Sequence, residues 1–294
     1  MNTTQQDLRL TSAVFLTVVV TMGLVAYGIG ANAAEVGGHS SVTLCALLAL
    51  GVQLLAWFPA SLRQTERFYD LTGGLTYLAV VAFSLWAGST GTGPGAREWL
   101  ISGLVAIWAI RLASFLYLRI HRAGKDGRFD ELKTSPIRFL IPWSLQAMWV
   151  FLTLSVVVAI NCQALPAPSL GIWDGIGLLL WGLGFGIEVV ADAQKTAFNA
   201  KPENRGKWID EGLWSRSRHP NYFGEILLWI GIACFGIACL DGWERLAWIS
   251  PVFVLLLLTK ISGVPLLDKR SLDKWGEDPD YQAYRAKTRT LLPL

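Results

Sequence analysis

Eight consecutive residues carry the densest chemistry in this chain: Arg218, His219, Pro220, Asn221, Tyr222, Phe223, Gly224 and Glu225. They follow a basic loop and run straight into an apolar segment. A charge at the centre of a membrane helix costs roughly 2.5–3.5 kcal/mol on insertion scales. A polar cluster at such a threshold is therefore expected to bind or react. Glu188 and Asp192 are spaced i,i+4 and share one helix face. Two carboxylates so close need cations or hydrogen-bond donors, which Arg111 and the 218–225 cluster can supply. A buried structural ion network is the alternative. Arg111 and Arg119, about two helical turns apart, also line one face. Lys260, near a helix end, is read as snorkelling to the interface.

Three basic segments add Arg119, Arg122, Lys125, Arg128, Lys201, Arg205, Arg216 and Arg218. Guanidinium groups bind phosphate oxygens in planar, bidentate fashion, so these segments suit a phosphate-bearing ligand. Asn199, Asn204, Asn221, Tyr222, Tyr281 and Tyr284 can hydrogen-bond a sugar or stack on a base. Anionic lipid headgroups would satisfy the same residues. The histidines at 39, 121 and 219 are scattered, and Cys45, Cys162, Cys234 and Cys239 show no C-x-x-C spacing. No metal site is expected, and the thiols read as small core residues. No Walker loop or strand-preceded G-x-G-x-x-G is present.

The elements that must position these groups are membrane helices. Of the 294 residues, 53% are hydrophobic and 16% charged, with mean hydropathy +0.43. Apolar windows lie near 11–32, 41–60, 71–88, 98–118, 139–163, 173–194, 222–240 and 245–263. Most approach the ~20 residues that cross a ~30 Å hydrocarbon core. The expected fold is all-α, a polytopic helical bundle of seven or eight transmembrane helices. The first window is read as a span rather than a cleavable leader. Segments 61–70, 119–138, 195–218 and 264–294 hold 2, 6, 6 and 6 Lys or Arg residues, whereas the alternate loops hold only Arg97 and Arg245. By the positive-inside rule both termini and the basic loops are cytoplasmic. The glycines dense in 171–186 allow close helix approach.

The blocks W-A-I-R-L at 108–112, R-I-H-R-A-G-K-D-G-R-F-D-E-L at 119–132 and I-E-V-V-A-D-A-Q-K at 187–195 resemble bacterial relatives of the steroid 5α-reductases. So do N-R-G-K-W-I-D-E-G-L-W at 204–214, S-R-H-P-N-Y-F-G-E at 217–225, G-V-P-L-L-D-K-R at 263–270 and Y-Q-A-Y-R-A-K-T at 281–288. The resemblance implies a membrane reductase of the bacterial inner membrane that uses NADPH, with residues 1–97 as the substrate-cavity side and 98–294 as the cofactor-binding region. Its cofactor-binding residues would be Arg111, Arg119, Asp192, Asn221 and Glu225, with Arg128, Arg205, Arg218, His219, Tyr222 and Tyr284 in matching blocks. Asn221 and Glu225 would face the nicotinamide. Asn199 stands where relatives carry a basic residue, and Asp268 where they carry glutamate.

The implied reaction delivers hydride to the β-carbon of a conjugated enone. Charge develops on the carbonyl oxygen, so a nearby donor lowers the barrier. The substrate would be an apolar enone or steroid-like lipid from the bilayer, and no nucleic acid partner is expected. The family's carbonyl-binding tyrosine falls on Trp108, and its glutamate is not placed. Tyr77, Gln53, Glu66, Tyr69 and Asp70 are the candidates, with Tyr77 the first choice for donor and Glu66 beside it. Two other classes compete. A membrane methyltransferase using S-adenosylmethionine shares the Arg-His-Pro motif, but places paired glutamates where this chain has Leu266, Leu267 and Asp268. A transporter or lipid-binding protein would use Arg111, Glu188 and Asp192 as an ion relay.

Overall fold

In lipid a backbone must satisfy its own hydrogen bonds, which leaves long apolar runs the helix as their one open form. The computed structural model describes residues 3–88, 93–124, 126–165 and 167–292. Lys125 and residues 89–92 fall outside them, as does the side chain of Arg122. The protein is an all-α polytopic helical bundle.

In chain order come α1 (Thr3–Ile29), a two-stranded hairpin (Glu35–Val36 with His39–Ser40), α2 (Ser41–Leu62), α3 (Tyr69–Gly88) and α4 (Ala96–Ala123). Next are α5 (Pro136–Thr153), α6 (Ser155–Asn161), α7 (Ile172–Ala200) and α8 (Pro220–Phe235). Last come α9 (Ile249–Leu256), α10 (Val264–Trp275) and α11 (Pro279–Lys287). Among the described residues six helical stretches are long and apolar enough to span: Gln5–Ile29, α2, α3, Ala96–His121, α7 and Gly242–Trp275. A seventh arises if α5 and α6 form one span, bent by 55°. The apolar window at 222–240 folds as the shorter α8, of 16 residues. Its helix stops at Phe235, and the chain then turns back through Leu240 N–H to Gly236 O (2.9 Å).

The bend at Leu154 has a local cause. Ser250 Oγ donates to Thr153 O and Ser155 Oγ donates to Ala247 O, both at 2.6 Å and fully buried. Ser250 thus takes up one carbonyl at the break, that of Thr153, while the Ser155 hydroxyl beside it ties the bend to Ala247 O.

The described residues form two compact units: 1–171 with 235–250, and 172–234 with 251–294. These are units of packing, whereas the division drawn at residue 97 is one of roles. In the first, α2 packs on α5 and α3, α3 on α4, and α1 on α5. Trp108, Trp143, Phe139 and Phe151 fill its core. Arg97, 1% exposed, holds the 168–169 segment by donating to Pro168 O (2.6 Å) and Ser169 O (3.1 Å).

In the second unit α7 and α8 meet through glycine. A Cβ at Gly184 would lie 2.5 Å from Gly224 O and from Leu228 N, and one at Gly231 would lie 2.6 Å from Trp181 N. The helices touch backbone to backbone, as small residues permit.

Candidate functional site

That close approach sets the α7 carboxylates against the Arg-His-Pro block. Gly224 lies between Asn221 and Glu225 on α8 and faces Glu188 across the contact. One turn along, Asn221 Nδ2 donates to Asp192 Oδ1 at 3.2 Å. Glu188, Asp192 and Glu225 are buried (2%, 7% and 7% exposed). The structure therefore brings together three of the sequence-predicted residues, Asp192, Asn221 and Glu225, with Glu188 beside them.

The start of the block is organised by Asp268 of α10. Its carboxylate accepts from Arg218 Nη1 (3.3 Å) and Arg285 Nη2 (3.3 Å), and pairs with His219 Nε2 at 3.3 Å. Arg218 Nη2 also donates to Thr290 Oγ1 (2.7 Å), and its backbone N–H to Arg289 O (2.9 Å). Each guanidinium keeps one buried N–H, Arg218 Nε and Arg285 Nη1, with no hydrogen-bond partner among the described residues. Burial pushes the His219 imidazole down to about 4, helped by the Lys195 and Arg218 charges and opposed by Asp268. His219 is thus neutral near pH 7. Two guanidinium groups and one carboxylate leave this cluster with one net positive charge.

Aromatic groups frame it. The Tyr222 ring stacks on His219 with centroids 5.6 Å apart and planes 9° apart. Tyr284 donates its hydroxyl to Trp214 O (2.8 Å), and burial raises its pKa. Arg205 lies exposed in the turn after α7, apart from these contacts.

The remaining predicted residues belong to the first unit. Arg111 lies over the Phe115 ring at 5.3 Å, and Arg119 is exposed. Arg128 pairs with Asp126 (Nε to Oδ2, 2.8 Å) and lies 3.8 Å from Asp70. Glu66 is 3% exposed and accepts from Lys133 Nζ (2.9 Å) and Asp126 N–H (3.0 Å). Burial alone would raise its pKa; the Lys133 ammonium and the Asp126 amide outweigh it and hold the carboxyl below its usual range. Glu66 fastens the 126–133 segment and does not line the cavity that Tyr77 lines.

That cavity, of about 60 Å³, lies among α3, α4 and α5. Tyr77 is 6% exposed there, edge-on to Trp108 with centroids 5.2 Å apart. Asp70 also lines it, whereas Gln53 is buried elsewhere and donates to Thr76 Oγ1 (2.9 Å). Tyr69 is tied to Pro142 O (2.9 Å) within an aromatic cluster. Sequence reasoning missed Asp268 as the centre of the arginine cluster, although it marked the position as a departure. It also missed Lys133, Gln146 and Trp149, whose roles arise from contacts distant in the chain.

The family model described as a protein of unknown function (DUF1295) matches residues 56–288. An uncharacterized protein of Schizosaccharomyces pombe is 24% identical over 229 residues, which is 67% of this chain and 63% of that protein. The chain thus spans less than two thirds of the length of that curated relative. No solved structure matches.

Proposed function

The chain belongs to the DUF1295 family, and we propose that it is a membrane-embedded, NADPH-dependent reductase of a conjugated carbon–carbon double bond. One observation carries the cofactor half of this reading. The Arg218, Arg285 and Asp268 cluster has a net positive charge and two buried guanidinium N–H groups without a hydrogen-bond partner among the described residues. A buried donor left without a partner costs about 1–3 kcal/mol, and phosphate oxygens are the natural acceptors for arginine. The residues therefore fit a phosphate-bearing nucleotide. They fit the cationic sulfonium of S-adenosylmethionine less well.

When bound, NADPH would supply the hydride. Arg218 and Arg285 would hold its phosphates, and the Asp192–Asn221 pair and Glu225 would orient its nicotinamide end. His219, neutral and stacked on Tyr222, keeps Asp268 directed at the arginines. Tyr77 would donate its hydroxyl hydrogen bond to the substrate carbonyl as enolate charge develops, the step at which such a donor lowers the barrier most. The proposed orientation puts the basic segments and both termini in the cytoplasm. The substrate reaches the protein from the bilayer.

The test is a titration of the purified protein in detergent with NADPH and, separately, S-adenosylmethionine. A ligand that binds the folded state raises its melting temperature. NADPH is expected to do so, and Arg285→Gln to remove most of that rise. A rise with S-adenosylmethionine alone would point to methyl transfer, and no rise with NADPH overturns the reading.

A further inference from the structure

The cavity among α3, α4 and α5 holds about 60 Å³, several times the ~10–15 Å³ that a site for one water needs. Its lining is mostly apolar, with Leu112, Ala113, Leu116 and Val150 in the walls. Three lining residues nonetheless carry a buried polar atom without a hydrogen-bond partner among the described residues, two of them being Asp70 Oδ2 and Trp149 Nε1. The Asp70 side chain is only 10% exposed, and its other oxygen is the one that lies 3.8 Å from Arg128. A third such atom is Oε1 of Gln146, a residue 6% exposed.

The chemistry of the two fixed groups narrows what can sit there. A carboxylate only accepts hydrogen bonds, and an indole N–H only donates them. A Gln amide presents either its oxygen or its nitrogen after a flip, so Gln146 adapts to the other two. A ketone or an ether satisfies the indole and leaves the carboxylate unserved. An ammonium serves the carboxylate and leaves the indole. A hydroxyl does both, donating to Asp70 and accepting from Trp149. The mostly apolar walls suit the carbon skeleton that carries it.

We infer that this cavity binds the hydroxyl-bearing end of an apolar lipid alcohol. Identifying that alcohol with the substrate rests on the reductase reading, and makes the substrate an enone that also carries a hydroxyl. The binding itself does not depend on that reading.

The experiment photo-labels the detergent-purified protein with a diazirine-bearing long-chain primary alcohol. Unlabelled octadecanol and its methyl ether serve as competitors. Labelled peptides are expected from α3, α4 and α5. The alcohol should compete at concentrations about tenfold or more below its ether, since hydrogen bonds to charged groups are the stronger kind. Trp149→Phe keeps the ring face and removes the N–H; it should weaken the alcohol several-fold. Asp70→Asn replaces the ionic acceptor with a neutral amide and should weaken the alcohol while sparing the ether. Equal competition by the ether in wild-type protein, labelling confined to other helices, or no saturable labelling overturns the inference. NADPH does not enter the measurement, so its failure leaves the reductase reading to the nucleotide titration.

Discussion

Replacing Gly184 by alanine tests the geometry on which the second unit's polar cluster depends. The new methyl would lie 2.5 Å from Gly224 O, 2.5 Å from Leu228 N and 3.0 Å from Leu228 Cα. All three are backbone atoms, so no side chain can rotate away. Reaching ordinary contact near 3.4–4 Å requires α7 and α8 to part by about 1 Å. Overpacking of this kind costs about 1–3 kcal/mol. The better helix propensity of alanine returns up to about 1 kcal/mol, leaving a net loss of roughly 0–2 kcal/mol. Moving the helices apart by the same amount would carry the 3.2 Å Asn221–Asp192 bond beyond hydrogen-bonding distance. Gly186 is the control: it lies on the same helix, and a Cβ there meets nothing within 4 Å. Gly186→Ala should therefore be neutral or stabilising by up to about 1 kcal/mol. Thermal and denaturant unfolding in one detergent would compare the two variants. Equal stability of Gly184→Ala and Gly186→Ala would refute the close-packed α7–α8 contact.

Two further perturbations address charge. His219 has a folded pKa of about 4 against an ordinary 6.5. The unfolded chain therefore takes up a proton that the folded one refuses between those values. Stability should fall as pH drops from 6.5 to 4, by up to about 3 kcal/mol. His219→Gln should flatten that slope in unfolding midpoints measured across the range, and an unchanged slope would assign it to other groups. Lys133→Met leaves the buried Glu66 carboxylate with only the Asp126 amide. Lys133 is itself partly exposed, so the loss is discounted to about 1–3 kcal/mol, read by the unfolding midpoint and by faster proteolysis within 119–135. Glu66→Gln in the same background should restore much of it, because it removes the stranded charge. No rescue would mean that the carboxylate does more than hold this segment.

Much of the fold was legible because hydropathy acts locally. The first four apolar windows and 173–194 each became one long helix, and the start of α8 falls at Pro220, where proline at a first helical position is favoured. The break at Leu154 was hidden within one apolar window, since its supporting hydroxyl on Ser250 lies 97 residues from Thr153. The glycine contact was half visible. Gly177 and Gly184, like Gly224 and Gly231, are seven residues apart and so lie on one face of their helices. Which helix that face would meet is a tertiary fact. The same holds for Asp268, whose partners Arg218, His219 and Arg285 stand 50, 49 and 17 residues away. Ion pairs closed over such distances leave no periodicity in the chain. Motif blocks picked out the arginine and histidine but could not show that one carboxylate gathers them.

The two polar sites differ in a way that assigns their ligands. In the arginine cluster the atoms left over are donors on cations, Arg218 Nε and Arg285 Nη1. An anion relieves both the charge and the missing acceptors. A neutral alcohol would relieve at most one donor and leave the charge. In the α3–α5 cavity the leftovers among the described residues include one carboxylate oxygen, one amide oxygen and one neutral N–H. A phosphate brought there would meet like charge from Asp70 and would lose its hydration in an apolar space of about 60 Å³. Burying an anion without paired cations is among the costliest transfers a protein can make. Arg128, 42% exposed and already bonded to Asp126, is poorly placed to offset it. Each site therefore repels the other's ligand, so selectivity at each is set by the sign and direction of its unpaired atoms more than by its shape.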